Sequence, residues 1–415
     1  MDKIYEIDFK RIKKQNEIFN EIKNKLMKYI KDLEECIEYN NNIINDYSKN
    51  SYDKDNLTNY LKLSCSIYDI YEDKIKQFKN YNNDIENIYK SGIKEMKYNA
   101  LNDFNKKYNT RLYDHSNIGF INMYEIGKLD EIQFKEFCLI NFYKIQELEL
   151  IFEDNINIDN LLKVSYHNNL KILSLDGKIK DINILSKLPF KSLEQLRLFN
   201  NNIYDTNIDI FNKVPFYNLK ALILRNNGIN NILGLTKAPF NGLTQLDLEF
   251  NSISDIQPLK EFLFLNLREL SLGNNLIENI DSFCNVPFDN LEKLLLHGNK
   301  IKDISFLSRV KFTNLNVLDL SYNQIQNIEP LSEVPFINLK YLDLSYNLIE
   351  NISVLSRVPF INLERFKLSH NIIKNFEILT NIHINDGLYL YVDQIQNALL
   401  IPFFNKLHFK IAILN

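Results

Sequence analysis

The chain has 415 residues, 45% of them apolar and 25% charged, with a formal net charge of −4. That balance is ordinary for a soluble protein, but the chain is too long for one ordinary compact domain. Residues 1–120 hold 21 Lys/Arg and 20 Asp/Glu, leaving 28 and 33 for the rest, so the two parts carry +1 and −5 and neither has the basic excess of a nucleic-acid binder.

There is no apolar run of about eighteen residues, so no membrane span is expected. The opening Met1 to Lys10 is charged throughout and lacks the apolar core of a signal peptide. The four cysteines, Cys36, Cys65, Cys138 and Cys284, are spaced as neither a metal knuckle nor a redox motif. They read as free thiols in a reducing, cytoplasmic setting, and no metal or other cofactor is expected.

Residues 1–112 are expected to be helical. Ile12, Phe19, Leu26 and Leu33 form one heptad row, and Ile22, Tyr29, Cys36 and Ile43 the next. The Asn-, Ser- and Asp-rich stretch from Asn40 to Asp55 reads as a turn. A second helical stretch follows through Leu57, Leu61, Ile67, Tyr71, Phe78, Ile85 and Ile88. The simplest picture is a helical hairpin, with a self-associating coiled coil as the alternative. Residues 113–144, with Phe134, Phe137, Leu139, Ile140 and Phe142, are expected to cap what comes next.

From residue 145 to 385 the chain repeats. Asn201, Asn227, Asn251, Asn275, Asn299, Asn323, Asn347 and Asn371 stand 26 residues apart at the first step and 24 at every later one. Each closes a phrase Leu-x-x-Leu-x-Leu-x-x-Asn-x-Ile, clearest in Leu339, Leu342, Leu344, Asn347 and Ile349. A fixed period of this kind marks a solenoid. Earlier, degenerate copies run through Leu148 and Leu150 and through Leu170, Leu173 and Leu175, with Lys178 in place of the asparagine. The Leu-x-Leu alternation makes one short strand per turn, and strands stack in parallel roughly 4.8 Å apart. Nine or ten turns are expected. The asparagine amide, with donors and an acceptor, can satisfy backbone groups that the bend removes from the strand ladder.

The return half reads Ile-x-x-Ile-x-x-Leu-x-x-Val-Pro-Phe-x-Asn-Leu. Proline stops a helix and the phenylalanine that follows fills the core, as at Pro335-Phe336 and Pro359-Phe360. All nine prolines lie at or beyond Pro189. So short a return favours 3₁₀ or irregular turns on the convex side. Residues 386–415, with Leu388, Leu390, Val392 and Leu400, are expected to form the C-terminal cap.

These residues resemble leucine-rich repeat proteins, over more than half of the chain. The Ile-x-x-Ile-x-x-Leu return is similar to the short-repeat class that includes the leucine-rich regulatory subunit of protein phosphatase 1 and the bacterial internalins. Members of that class have a slightly shorter turn, and the extra length here sits around Pro-Phe. The resemblance implies a right-handed α/β solenoid with a parallel concave sheet. It also implies a non-catalytic scaffold or adaptor that binds a protein partner on that sheet. A regulatory subunit of an enzyme and an internalin-type adhesion effector are the alternatives it leaves.

The positions six, four, two and one before each asparagine are expected to face solvent on the concave side. There Arg197 and Arg225 would make the early end basic, and Asp247, Glu249 and Glu269 the next stretch acidic. Tyr322, Tyr346 and His370 would form an aromatic row beside Asp319 and Asp343. Between Phe250 and Tyr322 stand small residues, including Ser271, Gly273, Asn274 and Gly298, with His297 among them. A shallow waist flanked by aromatic anchors would suit a protruding partner segment. The bland alternative is that Asp-Leu-Ser-Tyr-Asn, present twice, is only the repeat's consensus. For catalysis the chain offers little: six scattered histidines and no Gly-rich phosphate loop among ten glycines.

Overall fold

A computed structural model of the chain describes residues 120–121, 128–138, 145–153, 156–164, 169–204, 208–382 and 387–413. Before these it describes scattered positions, the longest run being 20–28. The chain divides into two compact units, residues 1–110 and 111–415. In the first, residues 20–28 are helical. Ile18 is buried, while Leu26, Met27 and Ile30 are exposed. The expected hairpin and coiled coil otherwise lie outside the described residues.

The second unit is one sheet. Its strands are β1 (Phe120–Ile121), β2 (Glu147–Ile151), β3 (Ile172–Asp176), β4 (Gln195–Phe199), β5 (Ala221–Ile223), β6 (Gln245–Asp247) and β7 (Glu269–Ser271). They continue with β8 (Lys293–Leu295), β9 (Val317–Asp319), β10 (Tyr341–Asp343), β11 (Arg365–Lys367), β12 (Tyr389–Val392) and β13 (Lys410–Ile413). The thirteen strands pair in chain order. The pairing is parallel at each step, from β1 on β2 to β12 on β13. From β5 to β11 the register places equivalent residues side by side, as at Leu318, Leu342 and Phe366. The sheet therefore runs beyond the nine or ten turns expected, because residues on both flanks of the repeats add strands of their own.

Three polar series hold the turns. The inner one is the asparagine ladder. Asn347 Nδ2 donates to the carbonyls of Leu320, Leu344 and Ser345 at 3.0, 3.1 and 3.2 Å, and its Oδ1 accepts from Ile325 N–H at 3.0 Å. Asn275, Asn299 and Asn323 repeat this pattern. Each amide thereby satisfies buried backbone groups of its own turn and of the turn before, which an apolar side chain could not do. The second series opens the convex segments. Asp255, Asn279, Asp303, Asn327 and Asn351 each accept from the N–H two residues on, which starts a 3₁₀ turn. The third crosses the outer side: Asn338 and Asn362 donate to the carbonyls of Thr313 and Ile337 in the preceding turn.

The convex segments are 3₁₀ throughout the array, for example Leu233–Leu235 and Ser305–Ser308, as the short return requires. Beneath them runs the phenylalanine spine. Phe190, Phe216, Phe240, Phe264, Phe288, Phe312, Phe336 and Phe360 are all buried. Phe240 and Phe264 stand 6.2 Å apart between ring centroids. At the early end, the helix Glu131–Cys138 buries Phe134 against Phe152, 5.2 Å between centroids. Burial among these groups pushes the Cys138 thiol up from its ordinary value.

Candidate protein-binding surface

The position just before each ladder asparagine has an unusual backbone. Asn200, Asn226, Phe250, Asn274, Tyr322, Tyr346 and His370 all have φ between 52° and 57°, and Gly298 has φ 65°. The chain bends out of the strand there, and the bend needs a left-handed residue. Glycine and asparagine adopt that conformation readily; a bulky ring does so at a cost of roughly 1–2 kcal/mol. Four of the eight positions nevertheless carry rings, and Phe250, Tyr322, Tyr346 and His370 are exposed.

Three of those rings come together. Tyr322 stacks on Tyr346 with centroids 4.0 Å apart and planes 10° from parallel. Tyr346 stacks on His370 at 4.1 Å and 21°. The strand spacing sets this separation, since equivalent side chains on neighbouring parallel strands stand about one ring-stack apart. Phe250 is not part of the row: Asn274 and Gly298 lie between it and Tyr322. Sequence reasoning missed three exposed apolar residues just past the ladder, Leu276, Leu348 and Ile372. The alternation that placed Tyr346 and His370 outside would have found them one step beyond the asparagine.

The concave floor departs from expectation. Asp247, Glu249, Ser271, Ser321, Asp343, Ser345 and Ser369 are buried. Strands this close let each side chain roof its neighbours, so the positions four and two before the asparagine are largely closed to solvent. Its charges are also matched across one or two turns. Arg225 reaches Asp247 at 2.6 Å and Glu249 at 2.9 Å. Arg197 reaches Glu149 at 2.7 Å, and Lys367 reaches Asp343 at 3.0 Å. The early end is therefore not a free basic patch, and the stretch after it is not a free acidic one. Asp343 also accepts from Ser345 N–H and Oγ and from Tyr341 Oη. Burial pushes the Tyr341 phenol up to about 12.

The small residues where a waist was expected are covered by neighbouring side chains. His297 lies over Gly273, where a side chain would run into the imidazole, and Asn274 leans onto Gly298 in the same way. His297 Nδ1 is buried without a hydrogen bond, and the nearest carboxylate oxygen, Asp319 Oδ2, is 3.8 Å away. Asp319 Oδ1 accepts from Ser321 N–H at 3.0 Å and Oγ at 2.7 Å. Burial raises the Asp319 carboxyl above its ordinary value despite those bonds. Glu249 is raised too, first by burial and then by Asp247, against the opposing pull of Arg225. Among the described residues no cluster of His, Cys, Asp or Glu could hold a metal ion, and no helix is long and apolar enough to cross a membrane.

Two leucine-rich repeat family models match the chain, one at residues 289–333 and one at 313–373. This is a leucine-rich repeat protein. No curated protein matches the chain. Solved structures similar to it include an internalin of Listeria monocytogenes, 20% identical, covering 75% of this chain and 92% of that one at a TM-score of 0.47. A leucine-rich repeat protein of Leptospira interrogans is 18% identical, covering 66% and 76% at 0.42. A plant peptide hormone receptor in complex with its hormone is 17% identical, covering 64% and 42% at 0.41. Leucine-rich repeats generally bind proteins.

Proposed function

We propose that this leucine-rich repeat protein is a non-catalytic scaffold or adaptor that engages a protein partner along the rim formed by Tyr322, Tyr346 and His370. The observation that carries the reading is the pairing of cost and exposure. Rings occupy left-handed positions that asparagine or glycine would fill without strain, and they face solvent. Strain of that kind is kept where a function needs it, and exposed aromatic residues are favoured anchors at interfaces. The free thiols among the described residues, buried Cys138 and half-buried Cys284, favour a reducing, cytoplasmic setting.

Affinity capture with the full chain, followed by mass spectrometry, names the partner. A Tyr322→Ala/Tyr346→Ala double variant then tests the rim. Each lost anchor is worth about 1–2 kcal/mol, so the pair should weaken the partner at least about tenfold. The melting temperature should not fall, because the exposed rings contribute little to the core. Unchanged affinity would remove the rim from the interface. A capture that also carries enzymatic activity, such as a phosphatase, would make the adaptor a regulatory subunit.

A further inference from the structure

The concave face ends on cations that the sheet does not neutralise. Elsewhere on that face basic groups meet carboxylates: Arg197 meets Glu149, Arg225 meets Asp247 and Glu249, and Lys367 meets Asp343. Glu269 and Lys293 stand opposite each other in register. Over the last three strands the balance changes. Arg365 pairs with Tyr389 and Tyr389 with Lys410, so the three form one row across β11, β12 and β13. Alternation puts the row on the concave face, since Phe366, Leu368, Leu390 and Val392 are buried on the other side. All three members of the row are exposed.

Among the described residues neither Arg365 nor Lys410 pairs with a carboxylate. The carboxylates of this end are engaged elsewhere. Asp343 is buried and takes Lys367 at 3.0 Å, Tyr341 Oη at 2.9 Å and Ser345 N–H at 3.0 Å. Glu364 takes Lys340 at 3.1 Å, and Asp393 caps the helix Gln394–Leu400. Within the row, Lys410 Nζ lies 3.2 Å from Tyr389 Oη and 4.9 Å from the centre of the Tyr389 ring. The phenol oxygen accepts from the ammonium there, which leaves its O–H to donate. Strand spacing sets Arg365 and Lys410 roughly 10 Å apart at the backbone. In an extended peptide, residues two apart point the same way about 7 Å apart. The long Arg365 and Lys410 side chains close that difference.

We propose that the row of Arg365, Tyr389 and Lys410 receives an acidic segment of the partner protein, with carboxylates at alternate positions. This rests on the reading of the chain as a protein-binding scaffold, and it adds to the rim the charge of the segment bound. The chain as a whole carries −4, so a positive row at one end also fixes where an acidic segment docks.

The test needs no identified partner. The chain contains no tryptophan, so a tryptophan in a probe peptide reports its own binding to the full chain by emission anisotropy. The probes are Ac-Trp-Gly-Glu-Ala-Glu-Gly-NH2 and the same peptide with glutamine for both glutamates. The acidic peptide should bind at least about fivefold more tightly, with the difference shrinking as salt is added. Arg365→Gln and Lys410→Gln should each weaken it at least about threefold. Lys311→Gln makes the same change in net charge at an exposed position before Phe312, and it should leave binding unchanged. Equal binding of the glutamine peptide, an equal loss in Lys311→Gln, or no binding at tens of millimolar peptide would each overturn the proposal. Such a failure would leave the rim standing, because the Tyr322→Ala/Tyr346→Ala measurement involves neither cation.

Discussion

At the scale of single residues, the left-handed position divides fold from function. Phe250 sits there without a ring neighbour, between Asn226 and Asn274, which hold the same backbone. It therefore bears the strain of an L-residue without the compensation of a stack. Phe250→Asn should raise stability by about 1 kcal/mol, read as a higher urea midpoint at unchanged slope. A fall of that size would mean that the ring packs more than its exposure suggests. Asp319 makes a second residue-scale case. Its folded pKa is raised by burial, so the unfolded chain gives up this proton first as pH rises. Stability from this site is thus fully present below the ordinary carboxyl value and is lost as pH climbs through the raised folded value. Asp319→Asn removes the buried charge and keeps an oxygen for Ser321. Its melting temperature relative to the parent chain should be higher at pH 7.5 than at pH 4, since lowering the pH returns the proton to the parent's carboxyl. A pH-independent difference would contradict this.

At the scale of the turn, stability comes from stacking rather than from any strand alone. Each turn from β5 to β11 contributes three strand residues, one 3₁₀ segment and one spine phenylalanine, and every one of these leans on the turns beside it. Phe240 is fully buried and contacts Phe211 and Phe264 in the adjoining turns. Phe240→Ala should cost about 3–5 kcal/mol through lost burial and the cavity left in the spine. Tyr217→Ala, at an exposed position one step past the spine, should cost less than about 0.5 kcal/mol. Chemical denaturation of the two variants side by side measures the contrast. Much of this was legible in the sequence. The period fixed the turn, the asparagine announced the ladder, and the short return with Pro-Phe required 3₁₀ segments over an aromatic spine. What was not legible depends on distances between turns. That Arg225 is spent on Asp247 and Glu249, and Lys367 on Asp343, follows from side-chain reach across the sheet. The left-handed φ before each asparagine gives no signal where the residue is tyrosine. The burial of the floor follows from strand spacing rather than from residue type.

At the scale of the whole molecule, a stacked array must end, and the two ends of the ladder differ. At the early end Asn201 Oδ1 is buried without a partner. The turns before it do without asparagine by pairing backbone directly, through the bridges Leu129 to Phe152 and Ile156 to Ile179. At the late end the ladder is completed by a different side chain. Gln396, in the helix Gln394–Leu400, is buried and donates Nε2 to the Leu368 carbonyl at 3.0 Å. Leu368 is where the period would call for the next asparagine's donor, as Asn371 donates to Leu344 at 2.8 Å. A longer side chain, offered from a helix, thus takes the next rung, and Asp393 accepts from His370 N–H at 2.7 Å beside it. In a quasi-one-dimensional array each turn answers mainly to its neighbours, so loss of this rung should act locally. Gln396→Ala takes one of two donors from the Leu368 carbonyl, which keeps Asn371 Nδ2, and also removes the capping bond from Asp393 N–H, at a cost of about 2 kcal/mol for the two bonds. Hydrogen exchange followed by mass spectrometry should show residues 365–400 opening about thirtyfold faster. Peptides from residues 170–230 should exchange as before. Uniform acceleration along the array would instead mean that the C-terminal rung supports the whole solenoid as a single cooperative unit.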